Sequence, residues 1–259
     1  MFGTLILTML LFVTVIYFAA LYLRDASIMD IFWGVGFILI AVQSLYIAFY
    51  NNLDVSLPKL IATGLVVIWG ARLSLHIFAR HNGEDPRYAQ WRHDWGSTYV
   101  WRSYIQIFLL QGALALIITL SVTLLNFSTV ISSAVSMNWL WVGCAIWAAG
   151  FLFESVADLQ LSYFKSHPAN KGKLLTMGLW QYSRHPNYFG EAVQWWGVFV
   201  VALSVMSVSW YLLIIGPVVI TYFIRFVSGV PLLENRMKRN SQFAHYAAKT
   251  NAFIPWFSK

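Results

Sequence analysis

Residues 103–153 read SYIQIFLLQGALALIITLSVTLLNFSTVISSAVSMNWLWVGCAIWAAGFLF and contain no Asp, Glu, Lys or Arg. A bilayer span needs roughly 20 consecutive apolar residues, so this run is long enough to cross a membrane and return. Three more charge-free runs flank it, at 2–23, 31–53 and 192–224. Over the 259-residue chain 59% of residues are hydrophobic and 10% are charged, against roughly a quarter charged in a typical soluble domain. One soluble core cannot hide that much apolar surface. A secreted disulfide scaffold, a cytosolic enzyme on a soluble sheet and a nucleic-acid binder are therefore excluded, despite a net charge of +7. The single cysteine, Cys144, lies in an apolar run and is uninformative about redox compartment. Residues 1–22 lack a charged start, so no cleaved signal peptide is expected.

Only helices and closed barrels satisfy their backbone polar groups in lipid, and long runs without alternation select helices. Spans are expected at 2–23, 30–50, 58–79, 102–125, 138–161, 187–205 and 209–230, with turns at 126–138 and 204–209; six spans are the alternative. The expected fold is an all-α integral membrane protein of about seven transmembrane helices, a single membrane domain over 1–259. Lys and Arg set its orientation. Arg80, Arg87, Arg92 and Arg102 follow the third span, Lys165, Lys171, Lys173 and Arg184 the fifth, and Arg236, Lys238, Arg239, Lys249 and Lys259 occupy the tail. Seven spans place the amino terminus outside and these segments, with the carboxy terminus, in the cytoplasm. A bacterial inner membrane is the expected location. The excess cations then report topology and attraction to anionic headgroups, and can also hold a phosphate-bearing ligand.

Charges inside span depth cost a few kcal/mol each and call for a partner or a role. They are Asp30, Arg72, Glu154, Asp158, Glu191 and Arg225. All six are expected in the cytoplasmic half, where they either pair helices together or line one cavity. Arginine grips phosphate bidentately and carboxylates accept from ribose hydroxyls, so a nucleotide-like ligand would use both kinds. Neither a GxGxxG after a strand nor a GxxxxGK[ST] run is present, so any nucleotide must sit between helix ends.

Residues 165–191 read KSHPANKGKLLTMGLWQYSRHPNYFGE. Pro168, Gly172 and Gly178 break helix, while Pro186 suits a first helical turn. Asn187 and Glu191, four apart, then share one face of the helix that follows. The loop HNGEDPRYAQWRHD at 81–94 reads as a solvated turn; its His and acidic residues match no metal-binding spacing, and no metal is expected. Trp91, Trp95 and Trp101, interleaved with Arg92 and Arg102, read as an interfacial segment.

The run SRHPNYFGE at 183–191 resembles the membrane-embedded reductases related to steroid 5-alpha-reductase, including bacterial relatives of the DUF1295 type. DASIMDIFWG at 25–34, WGARLSLHIFARHNGEDPRYAQWR at 69–92, VSGVPLLENRMKRN at 227–240 and FAHYAAKTNAFIPWF at 243–257 extend the resemblance over most of the chain. It implies an oxidoreductase of lipid metabolism that holds NADPH in the carboxy-terminal half, at 138–259, with substrate helices at 1–126. The matching cofactor positions are Asp158, Lys165, Asn187, Glu191 and Arg225, with Glu234, Arg236 and Tyr246 in the tail; Arg72 joins them as a buried cation. Plainer readings stand beside these: Lys165 as a topology charge, Tyr246 as an interfacial anchor, Arg236 as a solvated tail charge. The Gln-Glu-Leu-Pro run that carries the catalytic carboxylate of the animal enzymes is absent, and Trp69 stands where their third-span tyrosine does. Asp30 is the candidate replacement for that carboxylate; as the first acid of its span it also suits a helix start favoured by the macrodipole.

The chemistry so implied is NAD(P)H-dependent reduction of a carbon–carbon double bond conjugated to a carbonyl, in an apolar substrate entering from the bilayer. Asp30 protonated by desolvation, or a nearby Tyr, would donate to the carbonyl oxygen. RHPNY also occurs in the isoprenylcysteine carboxyl methyltransferases, which bind S-adenosylmethionine, so methyl transfer is the alternative activity. A non-catalytic protein whose buried charges pack helices is a third. Lys165, Lys171, Lys173 and Arg236 are all candidates for a 2′-phosphate contact, and oligomeric state is not legible.

Overall fold

A computed structural model describes residues 1–129, 135–205 and 209–257 of the chain. The turns expected at 126–138 and 204–209 lie partly outside the described residues. The protein is an all-α integral membrane protein. Six helices among the described residues are long and apolar enough to cross a membrane: α1 (Phe2–Leu23), α2 (Ile28–Tyr50), α3 (Leu57–Arg80), α4 (Pro86–Ile118), α6 (Met137–Ser166) and α8 (Trp210–Met237). Between and after them lie α5 (Leu120–Phe127), α7 (Pro186–Leu203) and α9 (Phe243–Lys249). The surface of α1 shows the solvent it is built for: Leu7, Leu11, Val15 and Phe18 are each more than half exposed. A contiguous apolar face of that kind is a liability in water and a match for acyl chains.

The sixth expected span, at 187–205, does form a helix, α7, yet it is not among the six that are long and apolar enough to cross. Its Asn187, Glu191 and Gln194 dilute its apolar character. Burial explains why it tolerates them, since none of its residues is exposed. A helix surrounded by protein needs no lipid-compatible face.

The chain forms two compact units. The first comprises residues 1–136 and 202–215. Its closest packing is α2 on α3, where Gly34 and Gly70 let two backbones touch: a Cβ added at Gly70 would stand 2.7 Å from the Gly34 carbonyl oxygen. Small residues at such crossings are how helices gain van der Waals contact in lipid, where no hydrophobic force drives them together. Trp69 packs beside this crossing, 1% exposed, with its ring edge-on to Phe37. The loop expected at 81–94 is instead mostly helical. Asp85 caps the Arg87 N–H at 2.8 Å and Pro86 occupies the first turn, so α4 begins before the membrane run. Within α4, residues Tyr104–Leu109 wind as a π turn.

The second unit comprises residues 137–201 and 216–259, described to residue 257. It is organised on α6 and α7, which run antiparallel in tight register. A Cβ added at Gly143 would lie 2.5 Å from the Val201 nitrogen, at Gly197 2.6 Å from the Trp147 nitrogen, and at Gly190 2.5 Å from the Glu154 nitrogen. Even one methyl would force these backbones apart. The contact therefore fixes which polar side chains of α6 meet which of α7. In α8, Phe223–Val227 forms a second π turn before the last helical stretch, Val230–Met237.

Candidate functional site

The α6–α7 register brings two carboxylate–amide pairs together, the carboxylates one turn apart on α6 and the amides two turns apart on α7. The Asn187 amide donates to Asp158 at 3.0 Å, and the Gln194 amide donates to Glu154 at 2.5 Å. Asp158, Glu154 and Gln194 are buried, and Asn187 is half-buried at the start of α7. Glu191 stands between the two amides on the same helix, 9% exposed. Among the described residues, the Asn187 and Gln194 amide oxygens have no hydrogen-bond partner. Buried acceptors of this kind are costly unless a donor reaches them. A ligand bearing hydroxyl or amino groups would supply one.

The first half of the SRHPNYFGE run has a different task from the second. Ser183 pairs with Asn251 in a short parallel bridge, its hydroxyl donates to the Phe253 carbonyl at 2.8 Å, and the Arg184 N–H donates to the Asn251 carbonyl at 2.8 Å. The Trp256 N–H returns the bond to the Tyr182 carbonyl at 3.0 Å. The Arg184 guanidinium reaches the Ala247 and Thr250 carbonyls and closes on Glu234 at 2.6 Å. His185, 1% exposed, lies 3.5 Å from the same Glu234 oxygen and stacks on Tyr188. Its Nδ1 has no hydrogen-bond partner among the described residues. The Tyr246 hydroxyl donates to the Trp180 carbonyl, and burial pushes its phenol up from the ordinary value. Tyr246 is thus a neutral tail anchor.

Of the expected cofactor residues, this structure joins Asp158 with Asn187 directly and keeps Glu191 on the same face. Glu234 gives an oxygen to Arg184, and Tyr246 gives its proton to a backbone carbonyl, so both work in the tail clamp. Lys165 and Arg236 are exposed; Arg225 is half-buried in the π turn, its guanidinium 5.0 Å above the Phe226 ring. All of these belong to the second unit. Arg72 lies half-buried on α3 of the first.

Asp30 also belongs to the first unit. It sits in the first turn of α2 and accepts from Arg87 at 3.0 Å and from the Tyr88 hydroxyl at 2.5 Å. Two donors, one of them a guanidinium, thus hold both of its oxygens. Tyr88 is 3% exposed and has the Gln111 amide 3.4 Å from its oxygen. Around it, Asp25 accepts from His81 at 2.9 Å, and Glu84 accepts from Arg92 at 2.7 Å and from the Ala26 N–H at 2.9 Å. Sequence reasoning missed Tyr88, Arg87 and Arg184. The Asp85–Pro86 pair was the signal for the helix that carries the first two. The clamp had no local signal, because its partners lie some sixty residues on. Among the described residues, no group of three or more His, Cys, Asp or Glu is placed to hold a metal ion.

The profile of a family described as "Protein of unknown function (DUF1295)" matches residues 16–250. A protein of Ustilaginoidea virens named "Probable O-methyltransferase ustE" is 46% identical over 46 residues, 18% of this chain and 16% of that protein's own length. The chain thus spans only a small part of that relative. No solved structure matches.

Proposed function

We propose that this chain, which belongs to the DUF1295 family, binds a reduced nicotinamide dinucleotide, NADPH in the first instance, in its second unit. With it the protein reduces a carbon–carbon double bond conjugated to a carbonyl in an apolar, lipid-like substrate taken from the bilayer. The observation that carries this reading is the Asp158–Asn187 pair with Glu191 one turn on, in the unit that also bears Lys165, Arg225 and Arg236. Ribose hydroxyls donate to carboxylates and phosphates accept from cations, so a dinucleotide has a use for both sets. The unsatisfied Asn187 oxygen fits the same ligand, since it can accept from a hydroxyl or an amide.

When bound, the cofactor supplies the hydride. The chain's residues manage the charge that develops on the substrate oxygen. Within the first unit, the Tyr88 hydroxyl, held by Asp30 and approached by Gln111, is a donor of the kind that an oxygen gaining negative charge needs. Asp30, paired with Arg87, orients the Tyr88 hydroxyl in this reading. The basic segments after α3 and α6 support a cytoplasmic side for this chemistry, in a bacterial inner membrane.

Methyl transfer from S-adenosylmethionine is the second reading, favoured by the 46-residue match to a protein named as an O-methyltransferase. Both cofactors carry an adenosine ribose, and only one carries phosphates. Thermal unfolding of the purified protein with NADPH, NADH or S-adenosylmethionine separates them, because a ligand at 100 times its dissociation constant adds about 2.7 kcal/mol. Stabilisation by a nicotinamide cofactor is expected. A response to S-adenosylmethionine alone would overturn the reductase reading, and no response to any of the three would favour a non-catalytic role.

A further inference from the structure

We infer that the second unit carries a binding site for the phosphate of an anionic phospholipid headgroup, built where the α6–α7 loop meets the turn after α8. The Asn240 side-chain amide donates to the Gly172 carbonyl at 2.5 Å, joining segments 68 residues apart. Gly172, at φ +79°, makes the tight turn that presents this carbonyl. The bond puts Lys171 and Lys173, which flank Gly172, beside Lys238 and Arg239, which lead into Asn240. All four are exposed. Among the described residues no carboxylate pairs with any of them, whereas Glu154, Asp158, Glu191 and Glu234 of the same unit all face inward. Lys238 reaches only the neutral Asn235 amide oxygen, at 3.1 Å.

The level of this cluster selects the occupant. α6 ends at Ser166 and α8 at Met237, both spans long and apolar enough to cross the membrane, so the four cations stand within a few residues of two span ends. Leu159 and Tyr163, on the last turns of α6, are 68% and 72% exposed and offer a surface for the acyl chains below. A lipid phosphate at headgroup depth meets cations above and apolar side chains beneath, which free phosphate in solution does not need. Each cation near an anionic surface contributes about a fivefold preference, screened by salt over a Debye length.

The test uses full-length protein in nanodiscs of phosphatidylcholine with a minor fraction of phosphatidylglycerol, ejected into a native mass spectrometer to count retained lipid. Retained phosphatidylglycerol should exceed its share of the bilayer. Lys171→Gln, Lys173→Gln, Lys238→Gln and Arg239→Gln combined should cut that enrichment by at least ~10²-fold in relative affinity, and the combined Lys→Arg variant at the three lysines should keep it. Equal enrichment in parent and Gln variant, with both proteins monodisperse, overturns the proposal. Two further arms separate the source of the phosphate. If millimolar inorganic phosphate displaces the lipid fully, the site is a free-anion site and the lipid assignment fails. If the Gln variant loses NADPH binding while keeping its lipid, the four cations belong to the cofactor.

Discussion

The two units handle buried charge in opposite ways. In the first, cationic side chains and an imidazole close on carboxylates: Asp30 and Asp85 share Arg87, Glu84 takes Arg92 with both oxygens, Asp25 takes His81, and the fully buried Lys59 reaches Asp54. In the second, Asp158 and Glu154 accept from neutral amides, whose own oxygens are left without a hydrogen-bond partner among the described residues. In the first unit the donors are spent on the carboxylates they hold. In the second the amides position the carboxylates and keep acceptor oxygens of their own for hydroxyl and amino donors. The first unit is wired for rigidity around one phenol, the second for reception.

The contrast can be broken at Arg184, where the second unit resembles the first. Arg184→Ala should remove the guanidinium from Glu234 and from two tail carbonyls and cost about 3 kcal/mol, the penalty for leaving one partner of a mostly buried pair behind. The measurement is thermal unfolding in detergent; an unchanged midpoint would show that the tail is held by the backbone bridge alone. Next in size, Tyr88→Phe should slow NADPH-dependent turnover of a long-chain enone probe by at least ~10²-fold while leaving cofactor affinity intact. Near-parental turnover would assign the first-unit network to structure only. Asn187→Ala should weaken NADPH binding by about tenfold in a protein that stays folded, since it releases Asp158 from one hydrogen bond and removes the amide acceptor. If the midpoint falls and affinity holds, the amide pairs pack helices and the contrast disappears. The smallest effect is expected from Glu84→Gln, about 1 kcal/mol, because Arg92 is partly exposed and water substitutes for the lost charge.

Long apolar stretches were legible because lipid imposes length and composition directly: α1 occupies the run read at 2–23, and α2 and α3 differ from expectation by two residues or fewer at either end. Pro186 as helix start, with Asn187 and Glu191 on one face, was also legible, because proline geometry and helical period are local. The opening of α4 was not. Its polar Arg87, Gln90 and His93 imitate a solvated loop, and only the Asp85 cap and the pairing of Arg87 with Asp30, 57 residues earlier, make it a helix. Neither was it legible that SRHPNYFGE divides between a clamp and a ligand face. Ser183 and Arg184 find their partners at Glu234 and at 247–253, and no spacing within the run records that. The α6–α7 register lies between these cases. Its glycines are visible in the sequence, but which glycine meets which backbone follows from packing alone.

The π turns in α4 and α8 have a consequence for how these helices tolerate length changes. A π turn holds one residue more than the α-helical ladder, and one residue corresponds to about 100° of azimuth. Excising a single residue from Tyr104–Leu109 would convert the π turn into an α turn and leave Leu110–Ile118 at nearly its present azimuth, whereas the same excision from Tyr99–Ser103 would spin the rest of the span by that angle. Gln111 would stay beside Tyr88 in the first case and turn away from it in the second. The two π segments are therefore where these spans can lose a residue without a change of aim.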